Sequence, residues 1–246
     1  MKAIILAAGR GSRLGGLSDD NPKCFNEVGG KKLLEWQIAA LNSSGVKDIV
    51  IVTGYKSKTI EKLGYNTIHN SDWENTNMVK SLECASELLE NDLIVSYADI
   101  LYGPLTIKSL IKNKKDIVIS YDKNWKILWK KRFQNILDDA ESFKIDKSNR
   151  ITEIGKKVKD ESEIEGQYMG LMRLNQKGSV ILKEFIQAHN DRIIKMDMTK
   201  LLRTLIKQNK TIHGMSINEN WCEVDTPNDI IVANELFNQG KLRFDY

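Results

Sequence analysis

The sequence is poor in the residue types that cross-link chains or bind transition metals. Its 246 residues include only three cysteines, three prolines and three histidines. Cys24, Cys84 and Cys222 lie far apart, so they form neither a disulfide framework nor the paired spacing of a zinc site. This cysteine usage is typical of a reducing compartment, and we predict a cytoplasmic protein.

Long hydrophobic runs are also missing. The apolar run near the start of the chain ends after a few residues, at Gly9. This run is too short for a membrane span and lacks the cleavage site of a signal peptide. No later stretch could cross a bilayer, so we predict no membrane association.

The charge is mildly basic, with a formal net charge of +4. Its basic residues are scattered, except between Lys123 and Arg132. A nucleic-acid site would need a clustered basic face with stacking aromatics. We therefore predict small anionic substrates and no nucleic-acid partner, and the oligomeric state stays open.

Strand and helix patterns alternate through the first half of the chain. Short apolar runs predict strands and 3.6-residue periodicity predicts helices, with Thr76 as the N-cap of the third helix. The strands are expected at 2–6, 49–53, 67–69, 93–97 and 117–121, and the helices at 31–44, 56–63, 76–89 and 104–111. This order indicates an α/β fold with a doubly wound, mostly parallel sheet.

The second half reads differently. Residues 123–173 carry strand-like pieces at 142–145, 151–154 and 167–174, which we interpret as a β-rich insertion over the ligand edge of the sheet. Two helices (176–188 and 197–208), a strand (211–216) and a last helix ending at 237 follow. Pro227 opens that helix, because proline is tolerated at the first helical position.

A glycine-rich loop follows the first strand directly, with the sequence LAAGRGSRL at residues 6–14. Glycines allow close backbone approach to phosphate oxygens, and successive N–H groups make an anion cradle. Arg13 and Lys23 add two cations. The Gly-Lys-Ser/Thr ending of a Walker A loop is absent, and Leu14 replaces the third glycine of a dinucleotide-binding loop. A plain strand-to-helix turn with surface arginines is the remaining alternative.

This loop, followed by Pro22 and Lys23, resembles the signature of sugar-phosphate and related nucleotidyltransferases. The resemblance implies a Rossmann-like, GT-A-like sheet with a small β-rich lid. It implies a single domain with a nucleotide-binding part (about 1–122 and 209–246) and an acceptor-binding lid (about 123–208). It also implies that Arg13 and Lys23 stabilise charge at the reacting phosphates. The implied triphosphate-binding residues are Leu6, Ala7, Ala8, Gly9, Gly11 and Ser12.

Two aspartates stand where a metal would be useful. Asp99 follows a central strand and Asp225 precedes the last helix, and open α/β sheets bind ligands at such strand ends. Mg²⁺ prefers hard oxygen ligands, and members of the resembled family carry a metal-binding aspartate at each corresponding place. We predict a Mg²⁺ site at Asp99 and Asp225, although either aspartate read alone suits a turn or a cap.

The segment from Asn75 to Leu82 resembles the phosphocholine and phosphonate cytidylyltransferase branch. Sugar nucleotidyltransferases usually carry a Gln-Gly stretch there, which is absent. We therefore predict CTP as the nucleotide, contacted by Asn77 and Ser81. A simple N-cap at the start of a helix is the competing interpretation.

The lid residues that resemble the acceptor site of the family are Lys156, Lys157, Glu165, Tyr168 and Asp197. The acids would suit an amine, so phosphocholine, 2-aminoethylphosphonate and phosphoglutamine all fit as acceptors. The resemblance implies that the product serves surface polysaccharide modification, such as capsule synthesis. Trp125 and Trp129, spaced as neighbours on a helix, are expected to pack together rather than to enclose an amine.

The expected reaction is attack by a substrate phosphate oxygen on the α-phosphorus of the triphosphate, with release of pyrophosphate. A phosphate monoester has a second pKa of about 6, so it needs no general base. The histidines are therefore expected to be structural or exposed. Two alternatives stay open: a sugar-1-phosphate uridylyl- or thymidylyltransferase, and a non-catalytic nucleotide-binding subunit.

Overall fold

The computed structural model describes residues 1–242 and Phe244, apart from the side chain of Ser18. The described strands are β1 Lys2–Ala7, β2 Glu27–Val28, β3 Lys31–Lys32, β4 Asp48–Thr53, β5 Asn66–His69, β6 Leu93–Tyr97, β7 Ile100–Leu101, β8 Ile117–Asp122, β9 Glu141–Ile145, β10 Ile151–Lys157, β11 Gln167–Leu174, β12 His213–Ser216 and β13 Cys222–Glu223. The described α-helices are α1 Leu33–Ser43, α2 Ser57–Glu61, α3 Met78–Cys84, α4 Pro104–Lys112, α5 Lys126–Arg132, α6 Gln176–Ala188, α7 Asn190–Ile193, α8 Met198–Lys207 and α9 Pro227–Asn238.

Seven strands form the central sheet, in the order β12-β8-β11-β6-β1-β4-β5. All are parallel except β11, which runs antiparallel to both β6 and β8. The middle strands are buried on both faces, as their continuous apolar runs predict. Separate apolar clusters cover the two faces: one includes Ile5 and Leu34, the other Ile4 and Leu82. The predicted mostly parallel α/β sheet is confirmed.

Strand β11 departs from the sequence interpretation. We placed residues 167–174 in the β-rich insertion, but they lie in the middle of the main sheet, between β6 and β8. Seven of the eight residues are buried, and this burial on both faces is what holds the strand there. Outside the main sheet, the insertion contributes the antiparallel pair β9 and β10, against which α8 packs.

The third helix is shorter than predicted. It spans Met78–Cys84, and Asn77, not Thr76, is its N-cap: the Asn77 side chain accepts a hydrogen bond from the backbone N–H of Met78. Thr76 instead donates to the carbonyl of Asp72 at 2.8 Å. A 3-10 turn at Ser86–Leu88 completes the segment. The prediction of Thr76 as the N-cap is wrong, because its hydroxyl is bonded within the preceding turn and Asn77 caps the helix.

Two short strands, one from the first half of the chain and one from near its end, pair with each other. β7 pairs antiparallel with β13, so that Ile100 lies opposite Glu223. The backbone N–H of Val224 also donates to the carbonyl of Asp99 at 2.8 Å. Beneath this turn, the buried amide of Gln37 donates to the carbonyls of Tyr97 and Ile100 at 2.9 and 2.6 Å. These bonds fix the backbone on both sides of Asp99.

No helix among the described residues is long and apolar enough to cross a membrane.

The predicted packing of Trp125 and Trp129 is confirmed, because both side chains are buried and their rings meet edge to face at 5.9 Å.

Candidate active site

The glycine-rich loop begins where β1 ends and passes close to Lys23. Gly11 has φ of 72°, a left-handed conformation that favours glycine. A Cβ atom at Gly11 would lie only 3.0–3.2 Å from three carbons of the Lys23 side chain. Glycine at this position therefore allows the aliphatic stem of Lys23 to lie against the loop and fixes the path of its ammonium group.

Asp99 and Asp225 meet at that ammonium group. Lys23 Nζ lies 2.6 Å from Asp99 Oδ2 and also forms an ion pair with Asp225. Residues Asp99 and Asp225 are 126 positions apart in the sequence, yet the pairing of β7 with β13 brings their backbones together. The structure thus assembles the two carboxylates and one predicted cation at a single point.

Arg13 completes the cluster from the solvent side. Its guanidinium forms ion pairs with Asp225 and with Asp139, the latter at 3.1 Å. Asp139 belongs to the segment after α5, so Arg13 connects the glycine-rich loop to the inserted region. Sequence analysis missed Asp139, because nothing in its local pattern distinguishes it from a surface acid.

The electrostatics of the cluster keep Lys23 charged. Burial by itself would lower the pKa of Lys23, but the charges of Asp99 and Asp225 outweigh it, so the pKa is raised above its ordinary value. The pKa of Arg13 is likewise raised, with Asp225 and Asp139 overcoming the effect of burial. Both side chains are therefore cations throughout the physiological pH range.

A cavity of about 240 Å³ opens in front of the cluster. Of the predicted triphosphate-binding residues, Leu6, Ala7, Gly9, Gly11 and Ser12 line it, together with both cations and both aspartates. A second cavity of about 140 Å³ shares Leu6 and Gly9 and is lined by Ala8, Trp73, Asn77 and Ser81. The structure therefore places the predicted loop residues, Asn77 and Ser81 along one continuous depression.

The structure brings only some of the predicted acceptor residues close to the site. The ring of Tyr168 meets that of Tyr97 edge to face at 5.8 Å, and its buried hydroxyl has no hydrogen-bond partner among the described groups. Burial raises the pKa of Tyr97, and Tyr168, Asp99 and Asp197 raise it further. Tyr168 and Asp197 therefore flank the strand end that carries Asp99.

The other predicted acceptor residues have local partners or lie exposed. Lys156 forms an ion pair with Glu153 at 2.5 Å, and Lys157 is exposed. Glu165 accepts a hydrogen bond from the backbone N–H of Ile145 at 2.7 Å, which ties it to β9. The structure therefore does not bring these three residues together with the catalytic cluster: none of them lines either cavity.

Glu141 is an acid that the sequence analysis missed. Burial raises its pKa, and the neighbouring charge of Asp197 raises it further. Thr199 donates to Asp197 at 3.1 Å and lies 3.5 Å from Glu141. Glu141 therefore joins Asp197 in an acidic patch beside Tyr97, and no sequence motif marks it.

A buried ion-pair network lies behind the site. The side chain of Arg132 is fully buried and donates to Glu223 at 2.8 Å and to Asp229 at 2.8 and 3.3 Å. Asp229 also accepts from the backbone N–H groups of Asp225 and Thr226. The Asp229 carboxylate therefore closes the capping box of α9 and also holds the backbone of Asp225. Burial raises the pKa of Glu223 to about 7, against the lowering effect of Arg132.

Replacing Arg132 with methionine is expected to destabilise the protein by about 3–5 kcal/mol, because two buried carboxylates lose their partner. The matched control is Arg150→Met, which removes an exposed ion pair with Asp146 and should cost no more than about 1 kcal/mol. Chemical denaturation of both variants measures the difference. Equal losses would mean that the buried network contributes no more than a surface pair.

The donor set at Asp99 and Asp225 fits a hard divalent cation. Asp99 Oδ1 is buried and has no hydrogen-bond partner among the described groups, so one carboxylate oxygen of the pair is left unsatisfied. Within the described part of the chain, no cluster of three or more histidine, cysteine, aspartate or glutamate side chains could hold a metal. Two carboxylates suit Mg²⁺, which takes its other ligands from water and phosphate.

The structure is thus an α/β protein in which a glycine-rich loop and two cations face a pair of carboxylates at one cavity. In comparisons with known proteins, the MobA-like NTP transferase domain family matches residues 3–154, which is more than half of the chain. The chain therefore belongs to this family of nucleotidyltransferases.

The chain is also similar to individual cytidylyltransferases. The chain is 39% identical over 253 residues to the CTP:phosphoglutamine cytidylyltransferase of Campylobacter jejuni, covering 96% of this chain and 100% of the relative. It is 36% identical over 106 residues to the choline-phosphate cytidylyltransferase of Streptococcus pneumoniae, covering 42% of this chain and 46% of that protein.

Solved structures agree on the fold. The CTP:phosphocholine cytidylyltransferase of Streptococcus pneumoniae superposes with a TM-score of 0.75 at 22% identity, covering 96% of this chain and 98% of the other. The inositol-1-phosphate CTP transferase of T. maritima gives a TM-score of 0.73 at 20% identity, covering 97% and 96%. The predicted nucleotidyltransferase fold is confirmed.

Proposed function

We propose that this protein transfers CMP from CTP to a phosphorylated small molecule that carries an amine, with phosphoglutamine as the first choice of acceptor, and releases pyrophosphate. The observation that carries the proposal is the convergence of the glycine-rich loop, Lys23, Asp99 and Asp225 at one cavity. The match along the whole length of the Campylobacter jejuni relative supports the choice of nucleotide and acceptor.

The residues of the site supply positioning and charge rather than proton transfer. The loop would hold the triphosphate through its backbone N–H groups, which form an anion cradle. Lys23 and Arg13 would then stabilise the negative charge that develops at the α-phosphate and on the leaving pyrophosphate. A phosphate monoester acceptor is largely dianionic at neutral pH, since its second pKa is about 6, so it would attack without a general base.

We further propose that Asp99 and Asp225 bind Mg²⁺ when nucleotide is present. Bound there, the metal would neutralise phosphate charge and act as a Lewis acid. The unpartnered Asp99 Oδ1 supports this assignment. Lys23 and Arg13 pair with these carboxylates, and the same cations suit triphosphate oxygens.

At the acceptor end, the acidic patch formed by Glu141 and Asp197 supports an ammonium-bearing substrate. A glutamine phosphorylated on its side chain would keep its ammonium group, and two nearby carboxylates offer it favourable Coulomb energy in a partly buried site. We place this reaction in the cytoplasm, at the step that activates a small group for surface polysaccharide modification.

A pyrophosphate-release assay tests the proposal directly. CTP, UTP, dTTP, ATP and GTP are each combined with phosphoglutamine, phosphocholine, 2-aminoethylphosphonate and glucose 1-phosphate in the presence of Mg²⁺. We expect the highest kcat/KM for CTP with phosphoglutamine. A preference for UTP or dTTP with the sugar phosphate would replace the proposal with a sugar nucleotidyltransferase. The absence of pyrophosphate in every combination would indicate a non-catalytic nucleotide-binding subunit.

A further inference from the structure

Asn70 is a buried polar residue behind the smaller cavity, and neither the sequence motifs nor the catalytic cluster accounts for it. Asn70 follows β5 directly and is only 3% exposed. Its backbone N–H donates to the carbonyl of Thr53 at 2.8 Å, which anchors it to the edge of the main sheet. A buried amide is costly unless its hydrogen bonds are made, so its partners show what it does.

The orientation of the Asn70 amide is fixed by its surroundings. Its Oδ1 accepts from the backbone N–H of Asp72 at 3.1 Å. If the amide were flipped, its NH2 group would face the N–H of Asp72, and two donors would oppose each other. The amide nitrogen therefore faces away from Asp72. Both protons of Nδ2 are then used, one to Thr76 Oγ1 at 2.9 Å and one to Ser81 Oγ at 3.0 Å.

This arrangement decides the role of the Ser81 hydroxyl. A serine hydroxyl can both donate and accept, but toward Asn70 its oxygen can only accept. No group in the described part of the chain accepts the Ser81 hydroxyl proton in return, and Ser81 lines the smaller cavity beside Trp73 and Ala8. The proton is therefore left for a ligand in that cavity.

We propose that Asn70 is a positioning residue for nucleotide choice: by holding Ser81 as a hydrogen-bond donor, it makes the cavity select cytosine over uracil. The inference rests on the proposed use of CTP, whose base would occupy this cavity. O2 accepts hydrogen bonds in both bases, whereas N3 accepts in cytosine and carries a proton in uracil. A donor at O2 would not discriminate, so the proposal places the Ser81 proton at N3, where it suits cytosine and opposes the N3–H of uracil.

The strongest test is Asn70→Asp, which keeps the shape of the side chain and replaces its donor with an acceptor. Ser81 then donates to the new carboxylate and presents a lone pair to the cavity. We expect the ratio of kcat/KM for CTP to that for UTP to fall roughly ten- to hundred-fold, the scale of one unsatisfied buried polar group. Calorimetric titration of CTP and UTP without acceptor gives the same comparison for binding.

A double-mutant cycle shows whether Asn70 acts through Ser81. Ser81→Ala should lower the CTP/UTP ratio, and adding Asn70→Asp to Ser81→Ala should change the ratio no further. The matched control is Asn91→Asp, since the Asn91 side chain bonds only to the Leu88 carbonyl in the described structure and lines neither cavity of the site. This control should keep the wild-type ratio.

The outcomes separate this inference from the proposed function. If the wild-type protein prefers CTP but the ratio survives in both Asn70→Asp and Ser81→Ala, the positioning role is wrong while the cytidylyltransferase proposal stands. A merely structural role for Asn70 would lower the melting temperature and both kcat/KM values together, with the ratio unchanged, and would also overturn the inference. If the wild-type protein prefers UTP, both the choice of CTP and the donor role of Ser81 fall.

Discussion

Replacing Lys23 with alanine is expected to lower kcat by roughly 10²–10³-fold, the loss typical of one removed charge-stabilising donor at a reacting centre. The ammonium lies between Asp99 and Asp225, and its raised pKa keeps it protonated across the assay range. The measurement is steady-state pyrophosphate release at saturating CTP and acceptor.

Two comparisons make the Lys23 result specific. Lys62→Ala removes an exposed lysine beyond α2 and should leave kcat unchanged. The melting temperature of Lys23→Ala shows whether the two aspartates, deprived of their partner, disturb the fold. A folded Lys23→Ala variant with near-normal turnover would remove Lys23 from the mechanism.

Changing Asp99 or Asp225 to asparagine should abolish Mg²⁺-dependent turnover, with a loss of at least about 10³-fold, because a bound metal supplies several kcal/mol of transition-state stabilisation. The substitution keeps the size of each side chain and removes one negative charge. The effect at Asp225 should be the larger, since its carboxylate also pairs with both Lys23 and Arg13.

A readout independent of turnover is the binding of Mn²⁺ in the presence of CTP, followed by electron paramagnetic resonance. Each Asp→Asn variant should weaken Mn²⁺ binding, whereas Asp191→Asn, an exposed acid at the start of α7, should not. Retained activity together with unchanged Mn²⁺ affinity in both site variants would refute the metal assignment.

The sequence alone determined the parallel strands of the first half of the chain and the glycine-rich loop. The apolar runs at 2–6, 49–53 and 93–97 have few alternatives to buried parallel strands, because continuous hydrophobicity over such lengths must be covered on both faces. The glycine spacing after β1 likewise specifies a backbone that can approach phosphates. These signals are local, so they can be read without knowing what packs against them.

Contacts between distant segments were decided only by the tertiary structure. The sequence pattern placed residues 167–174 in an insertion, yet β11 lies inside the main sheet. The position of a strand in a sheet depends on its contacts with other strands, which its own residues do not specify. Arg132, Asp139 and Glu141 carry no motif, and each gains its role from a partner far along the chain. The meeting of Asp99 and Asp225 depends on β7 pairing with β13. Long-range pairing of this kind is set by the summed packing of the whole domain, which no local pattern in the sequence records.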